Sequence, residues 1–124
     1  MTNELTALVI DDDPPILQLV SRFTEQGGFK TDQAATTQDG LDLLNSRHYH
    51  LVFTDLDQNP TGIQVYNAAT AKDIETYIMT GGAAKRPDLL TEAQSVAGKN
   101  LLTKPLNFSN LQQIIKAAHQ KYTI

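Results

Sequence analysis

The chain contains no cysteine. That excludes disulfides, thiolate metal centres and cysteine nucleophiles, and it fits a reducing compartment. Long hydrophobic runs are missing too. The longest apolar stretches fall far short of a membrane span, and the opening "MTNELTALVI" lacks the basic region and cleavage site of a signal peptide. The expected location is cytoplasmic, with no membrane partner. Positive charge is scarce: 10 Lys/Arg against 14 Asp/Glu give a formal net charge of −4, and the basic residues form no stripe. Direct binding to nucleic acid is therefore not expected. Pro/Gly/Ser-rich tracts and internal repeats are absent, so nothing marks a linker. A chain of 124 residues, 40% hydrophobic, fits one domain over 1–124 with a real core and no room for a separate output domain.

What the chain does have is a set of apolar runs that end in polar chemistry. In "ALVIDDDPPIL" the segment Leu5 to Ile10 reads as a buried strand, followed by three aspartates. Asp13 can cap a helix that starts at Pro14 and buries Ile16, Leu19, Val20 and Phe23 until Gly27 and Gly28 stop it. Phe29 to Ala35 is a weak strand, and Gln38 to Arg47 a short helix with Leu41 and Leu44 inward despite Gly40. In "HLVFTDLDQNP" the strand His50 to Thr54 again ends in carboxylates. Ile63 to Ala71 is helical by position, although the Ile63/Val65 alternation equally suits an extended segment. Glu75 to Thr80 is a strand, Asp88 to Ala97 a helix closed by Gly98, and Asn100 to Thr103 the last strand. A final helix from about Asn107 carries Phe108, Leu111, Ile115, Ala118 and Tyr122 on one stripe.

Strands alternating with helices imply an α/β, doubly wound parallel sheet covered on both faces. Ligands of such sheets bind outside the carboxyl ends of the strands. Those ends supply Asp11, Asp12 and Asp13, then Asp55 and Asp57, then Thr80, then Lys104 with Pro105. Crowded carboxylates call for a cation, and oxygen ligands with no His or Cys beside them favour Mg²⁺. Asp12 and Asp55 are its expected direct ligands and Asp11 a ligand through water. A carboxylate in that setting can attack phosphorus, with Lys104 and the Thr80 hydroxyl stabilising the phosphoryl oxygens.

Four stretches, "VIDDDPPI", "VFTDLD", "IMTGG" and "LLTKPL", lie in this order along the chain. Together they resemble the receiver domain of two-component response regulators, and the likeness spans essentially the whole chain. The resemblance implies a flavodoxin-like (βα)5 fold with strand order 2-1-3-4-5 and Asp55 as phosphoacceptor. It implies Thr80 as switch hydroxyl, Lys104 followed by a cis proline, and the backbone carbonyl of Asp57 as a further metal ligand. Asp57 and Gly82 then border the path of hydrolytic water. The implied phosphoryl source is a sensor histidine kinase or histidine phosphotransfer protein, with small phosphodonors as a second source. The implied output is a downstream protein bound at the face of helix 4, strand 5 and helix 5, near Leu90, Gln94, Leu101 and Gln112. Met1 and the end just after the last helix suggest a single-domain regulator.

Two departures bear on the read-out. Leu101 stands where the family usually has an aromatic residue, and it is expected to pack against the last helix. The loop "DLDQNPTG" lacks the usual spacing, and the stretch from Asp55 to Thr80 is short by about one helical turn, so a reduced third helix is expected. Two other functions compete with the phosphoacceptor switch. "DLD" resembles the nucleophile motif of haloacid-dehalogenase-like phosphatases, but the chain is too short for a cap and Asn59 stands where that motif needs Thr or Val. A receiver that never takes phosphate could serve as a docking module. His48 and His50 form a pair without an evident third ligand, His119 is expected to be exposed, and Lys85 with Arg86 is too small a patch for nucleic acid.

Overall fold

A computed structural model describes residues 4–81 and 86–123. Five strands, β1 (Thr6–Ile10), β2 (Lys30–Ala34), β3 (Leu51–Asp55), β4 (Glu75–Thr80) and β5 (Leu101–Thr103), alternate with five helices, α1 (Pro14–Gln26), α2 (Thr37–Ser46), α3 (Gly62–Thr70), α4 (Pro87–Ala97) and α5 (Phe108–Thr123). All pairings are parallel, in the order β2-β1-β3-β4-β5. This is the expected flavodoxin-like arrangement. The direction in which successive strands are added reverses between β1 and β3, which places a crevice where those two strands end.

The sheet is buried because its two faces are covered by different helices. Val9, Phe53, Met79 and Leu102 pack with Val20 of α1 and with Leu111, Ile115 and Ala118 of α5. The alternate residues Leu8, Ile10 and Val52 pack with Leu44 of α2 and with Val65 and Ala69 of α3. Ile78 joins Leu56, Ile63, Leu89, Ala93 and Ala97 beneath α3 and α4. The period of two thus feeds two layers of core from one set of strands. Gly40 is accounted for here: a Cβ at that position would collide with Ile10 Cδ1, so its absence lets α2 lie close on β1.

Several expectations change at this level. Segment 63–71 is a helix, and α3 at 9 residues is the shortest of the five, as the short spacing implied. Asp13 occupies the N-cap of α1, but its side chain makes no capping bond; its N–H instead donates to Asp11 Oδ1 at 2.9 Å. Leu101 packs with the α3/α4 cluster rather than against α5, because Leu102, one residue on, takes the α5 side. Phe108 is 52% exposed and lies edge-on to Phe23, at the start of α5 beyond the sheet. His119 is half-buried, its ring edge-on to Phe29. No helix among the described residues is long and apolar enough to cross a membrane.

Candidate functional site

The carboxyl ends of β1, β3, β4 and β5 bring the chemistry together. Asp55 is the last residue of β3 and 5% exposed; Asp11 follows β1 directly and is fully buried. One carboxylate oxygen from each of Asp11, Asp12 and Asp55 lies within 4.8 Å of the others. Asp12 is the exposed member. Thr80 ends β4, buried, and its partner in register is Thr103. Lys104 continues β5 by donating its N–H to Thr80 O at 2.7 Å, and the Lys104–Pro105 bond is cis. From there the lysine side chain reaches across the rim. Its Nζ is 2.8 Å from Asp11 Oδ2 and 3.3 Å from Asp55 Oδ1.

Electrostatics follow from this crowding. Burial, then the neighbouring Asp11, push the Asp55 carboxyl above the usual carboxylate range, and the Lys104 ammonium only partly offsets them. Burial pulls Lys104 down, but Asp11 and Asp55 more than restore it, and its ammonium ends above the ordinary lysine value. One lysine is thus shared by two buried carboxylates, with Asp12 beside them. Asp11 Oδ2 makes no hydrogen bond. The Lys104 ammonium, 2.8 Å away, meets that oxygen as an ion pair. Three carboxylates whose oxygens lie within 4.8 Å of one another, facing a single lysine, suit an additional hard cation.

The remaining sequence candidates sort themselves around this centre. Asp57 is exposed in the β3–α3 loop, two positions beyond Asp55. Gly82 and Lys85 lie outside the described residues. Gln94 and Gln112 are exposed, and Leu90 and Leu101 partly so, on the α4–β5–α5 side. His48 and His50 meet edge to face with ring centroids 4.9 Å apart at the opposite end of the sheet, and no third ligand joins them among the described residues. His50 Nδ1 instead accepts from Thr6 N–H at 3.1 Å. Sequence reasoning passed over Gln58 and Thr37, which hold the β3–α3 loop to α2. No motif announces them, because the contact joins residues 21 positions apart.

Comparison with known proteins agrees with this geometry. The family model of the response regulator receiver domain matches residues 7–116, and the chain belongs to that family. The heme response regulator HssR of Staphylococcus saprophyticus is 25% identical over 121 residues, 96% of this chain and 53% of that protein. The photosynthetic apparatus regulatory protein RegA of Rhodovulum sulfidophilum is 27% identical over 107 residues, 84% of this chain and 57% of that protein. The chain thus spans about half the length of the curated relatives it matches. The crystal structure of a CheY-like receiver domain protein from Methanospirillum hungatei superposes with a TM-score of 0.77 at 22% identity, covering 97% of both chains. The likeness in fold therefore extends over nearly the whole chain.

Proposed function

We propose that the chain is a phosphoacceptor switch that takes a phosphoryl group onto Asp55 and thereby changes which protein it binds. The observation that carries this reading is the position of Lys104 Nζ, within 3.3 Å of Asp55 Oδ1 and 2.8 Å of Asp11 Oδ2, at the edge of a three-carboxylate cluster. The donor is a phosphohistidine on a sensor kinase or phosphotransfer protein. A carboxylate oxygen of Asp55 attacks phosphorus, the P–N bond breaks, and its electron pair returns to the imidazole nitrogen, which then takes a proton. Lys104 holds positive charge beside the oxygen under attack, and Thr80, at the adjoining strand end, donates its hydroxyl to the new phosphoryl group.

Asp12 and Asp55, Asp11 through water, and the backbone carbonyl of Asp57 are the groups to hold Mg²⁺. When bound, the ion neutralises phosphoryl oxygens and relieves the repulsion among the carboxylates. The chain is not a turnover enzyme in this reading, since it modifies only itself. Output follows when Thr80 is drawn toward the phosphoryl group and the α4–β5–α5 face changes shape. Leu101 lies half-buried under α4 on that face, so the response runs through aliphatic packing rather than an aromatic side chain. A cytoplasmic setting fits this partner set.

A specific observation keeps the docking-module reading alive: on the read-out side Leu101, packed with the α3/α4 cluster, stands where the family usually has an aromatic residue. Nothing in the comparisons supports the dehalogenase-like phosphatase. The test is intact mass after incubation with acetyl phosphate and Mg²⁺, for the wild type and Asp55→Asn. One labile phosphoryl adduct on the wild type alone is expected; its absence, where a control receiver is modified, moves the assignment to the docking module.

A further inference from the structure

The loop that leaves Asp55 is closed on itself and then tied to a different part of the chain. Leu56 N donates to Met79 O at 3.0 Å, and Leu56 O accepts from Gln58 N at 3.1 Å and from Gly62 N at 3.0 Å. The two ends of the loop therefore meet at one residue. No side chain is tolerated at that meeting point, because a Cβ on Gly62 would collide with Asp55 O and stand 2.8 Å from Leu56 Cα. Asp57 sits on the exposed arc of this ring.

The arc is fixed from outside by two side chains that reach in opposite directions. Gln58 Oε1 accepts from Thr37 N, the first residue of α2, at 2.8 Å, and Gln58 Nε2 donates to Ala35 O at 3.4 Å. In return the Thr37 hydroxyl, fully buried, donates to Pro60 O. The N-terminus of α2 has four N–H groups without helical partners. Its own N-cap, Thr36, serves Asp39 N at 3.1 Å, and Gln58 serves Thr37 N from another loop. The same segment is bound to the site from the other side, since Asp11 N donates to Ala34 O at 3.1 Å. Residues 34–37 therefore stand between the strand end that carries Asp11 and the loop that carries Asp57.

We propose that Gln58 and Thr37 are positioning residues, a two-way brace that fixes the Asp57 backbone against the carboxylate cluster. They set how tightly the site holds Mg²⁺ and how long the phosphoryl group survives. This inference rests on the phosphoacceptor reading above. Partners outside the ligand set typically change metal affinity by about 10- to 100-fold when removed. A brace of this kind belongs at the low end, because it acts on one ligand only.

The experiment compares the full chain with Gln58→Met, Thr37→Val and Thr37→Ser. Amide exchange at Thr37 is followed in metal-free protein, and Mg²⁺ affinity is measured by titration. Gln58→Met is expected to speed Thr37 exchange about 10-fold, in line with one lost hydrogen bond, and to weaken Mg²⁺ roughly 10-fold. Thr37→Val keeps the side-chain shape but removes the hydroxyl, so it should weaken Mg²⁺ similarly, while Thr37→Ser restores it. Wild-type Mg²⁺ affinity in both Gln58→Met and Thr37→Val overturns the positioning role alone. A wild-type chain that binds no Mg²⁺ and takes no phosphate overturns the phosphoacceptor reading, and the brace's role with it.

Discussion

Lys104 Nζ stands 2.8 Å from Asp11 Oδ2, and the aspartate is fully buried while the lysine side chain is 19% exposed. The pair joins the end of β1 to the end of β5 across β3 and β4, so it also spans the position of Asp55. A lysine so placed serves the fold and the chemistry together. It neutralises two carboxylates that burial would otherwise penalise, and on the proposed function it is the group that meets the phosphoryl oxygens.

Lys104→Met keeps the length of the side chain and removes its charge. Breaking a fully enclosed pair typically costs 3–5 kcal/mol; here, where the lysine side chain is 19% exposed, about 2 kcal/mol is expected. Urea denaturation at pH 7 measures it, and an unchanged midpoint would remove the structural role of the pair. The raised Lys104 value gives a matching pH signature. Its stabilisation is complete below the ordinary lysine pKa of about 10.4 and is lost as pH rises through the higher folded value, a loss the variant lacks.

Asp55→Asn should make the metal-free protein more stable at pH 7. The folded state raises the Asp55 pKa, chiefly by burial and secondarily through Asp11, so it binds the proton more tightly than the unfolded chain does. Stability therefore falls as pH rises from about 3.9 through the folded value, and above that value the ionised carboxylate is a standing cost. Asparagine carries no such charge. Denaturation midpoints at pH 7 and pH 4 are the measurement: the variant's advantage should be present at pH 7 and small at pH 4. Equal midpoints at pH 7 would mean that Lys104 fully compensates Asp55.

Much of this centre was legible because its logic is one-dimensional. A strand end fixes where the next residue points, so carboxylates after apolar runs had to gather at one rim, and Glu75–Thr80 was bounded as found. Legibility failed where a residue's neighbours depend on a second element. Ile63 and Val65 alternate like a strand because α3 lies at a junction, burying Ile63 with α4 and Val65 with α2. Leu101 and Leu102 are both apolar, and only the pairing register decides which of them faces α5. Gln58 and Thr37 meet through the close approach of two loops, which neither local sequence encodes.

His50 gives the fold an acid-sensitive point at the opposite end of β3 from Asp55. Its pKa is lowered, first by burial and then by His48, and its Nδ1 accepts from Thr6 N–H only while that nitrogen is unprotonated. Tyr122 of α5 covers the ring from the other side, with centroids 5.1 Å apart. The unfolded chain takes up its proton near pH 6.5, before the folded state does, so stability present above that pH is lost as pH falls through it. His50→Asn keeps an acceptor near the Nδ1 position and removes the titration. The drop in Tm from pH 7 to pH 5 should be smaller in the variant; an equal drop would place the acid sensitivity elsewhere.

Mg²⁺ should stabilise the wild-type chain by mass action, because only the folded state assembles Asp11, Asp12 and Asp55 within 4.8 Å. At a free concentration of about 10 times Kd the gain is roughly 1.4 kcal/mol, on the order of 5 °C in Tm for a domain of this size. Two variants separate ligation from bulk charge. Asp12→Asn removes the exposed carboxylate, which no lysine among the described residues pairs with, and should abolish most of the Mg²⁺-dependent shift while leaving metal-free stability equal or higher. Asp39→Asn removes the same charge from the first turn of α2, outside the cluster, and should leave the shift intact. If both variants lose the shift equally, Mg²⁺ acts by screening the chain's net charge of −4 rather than at this site.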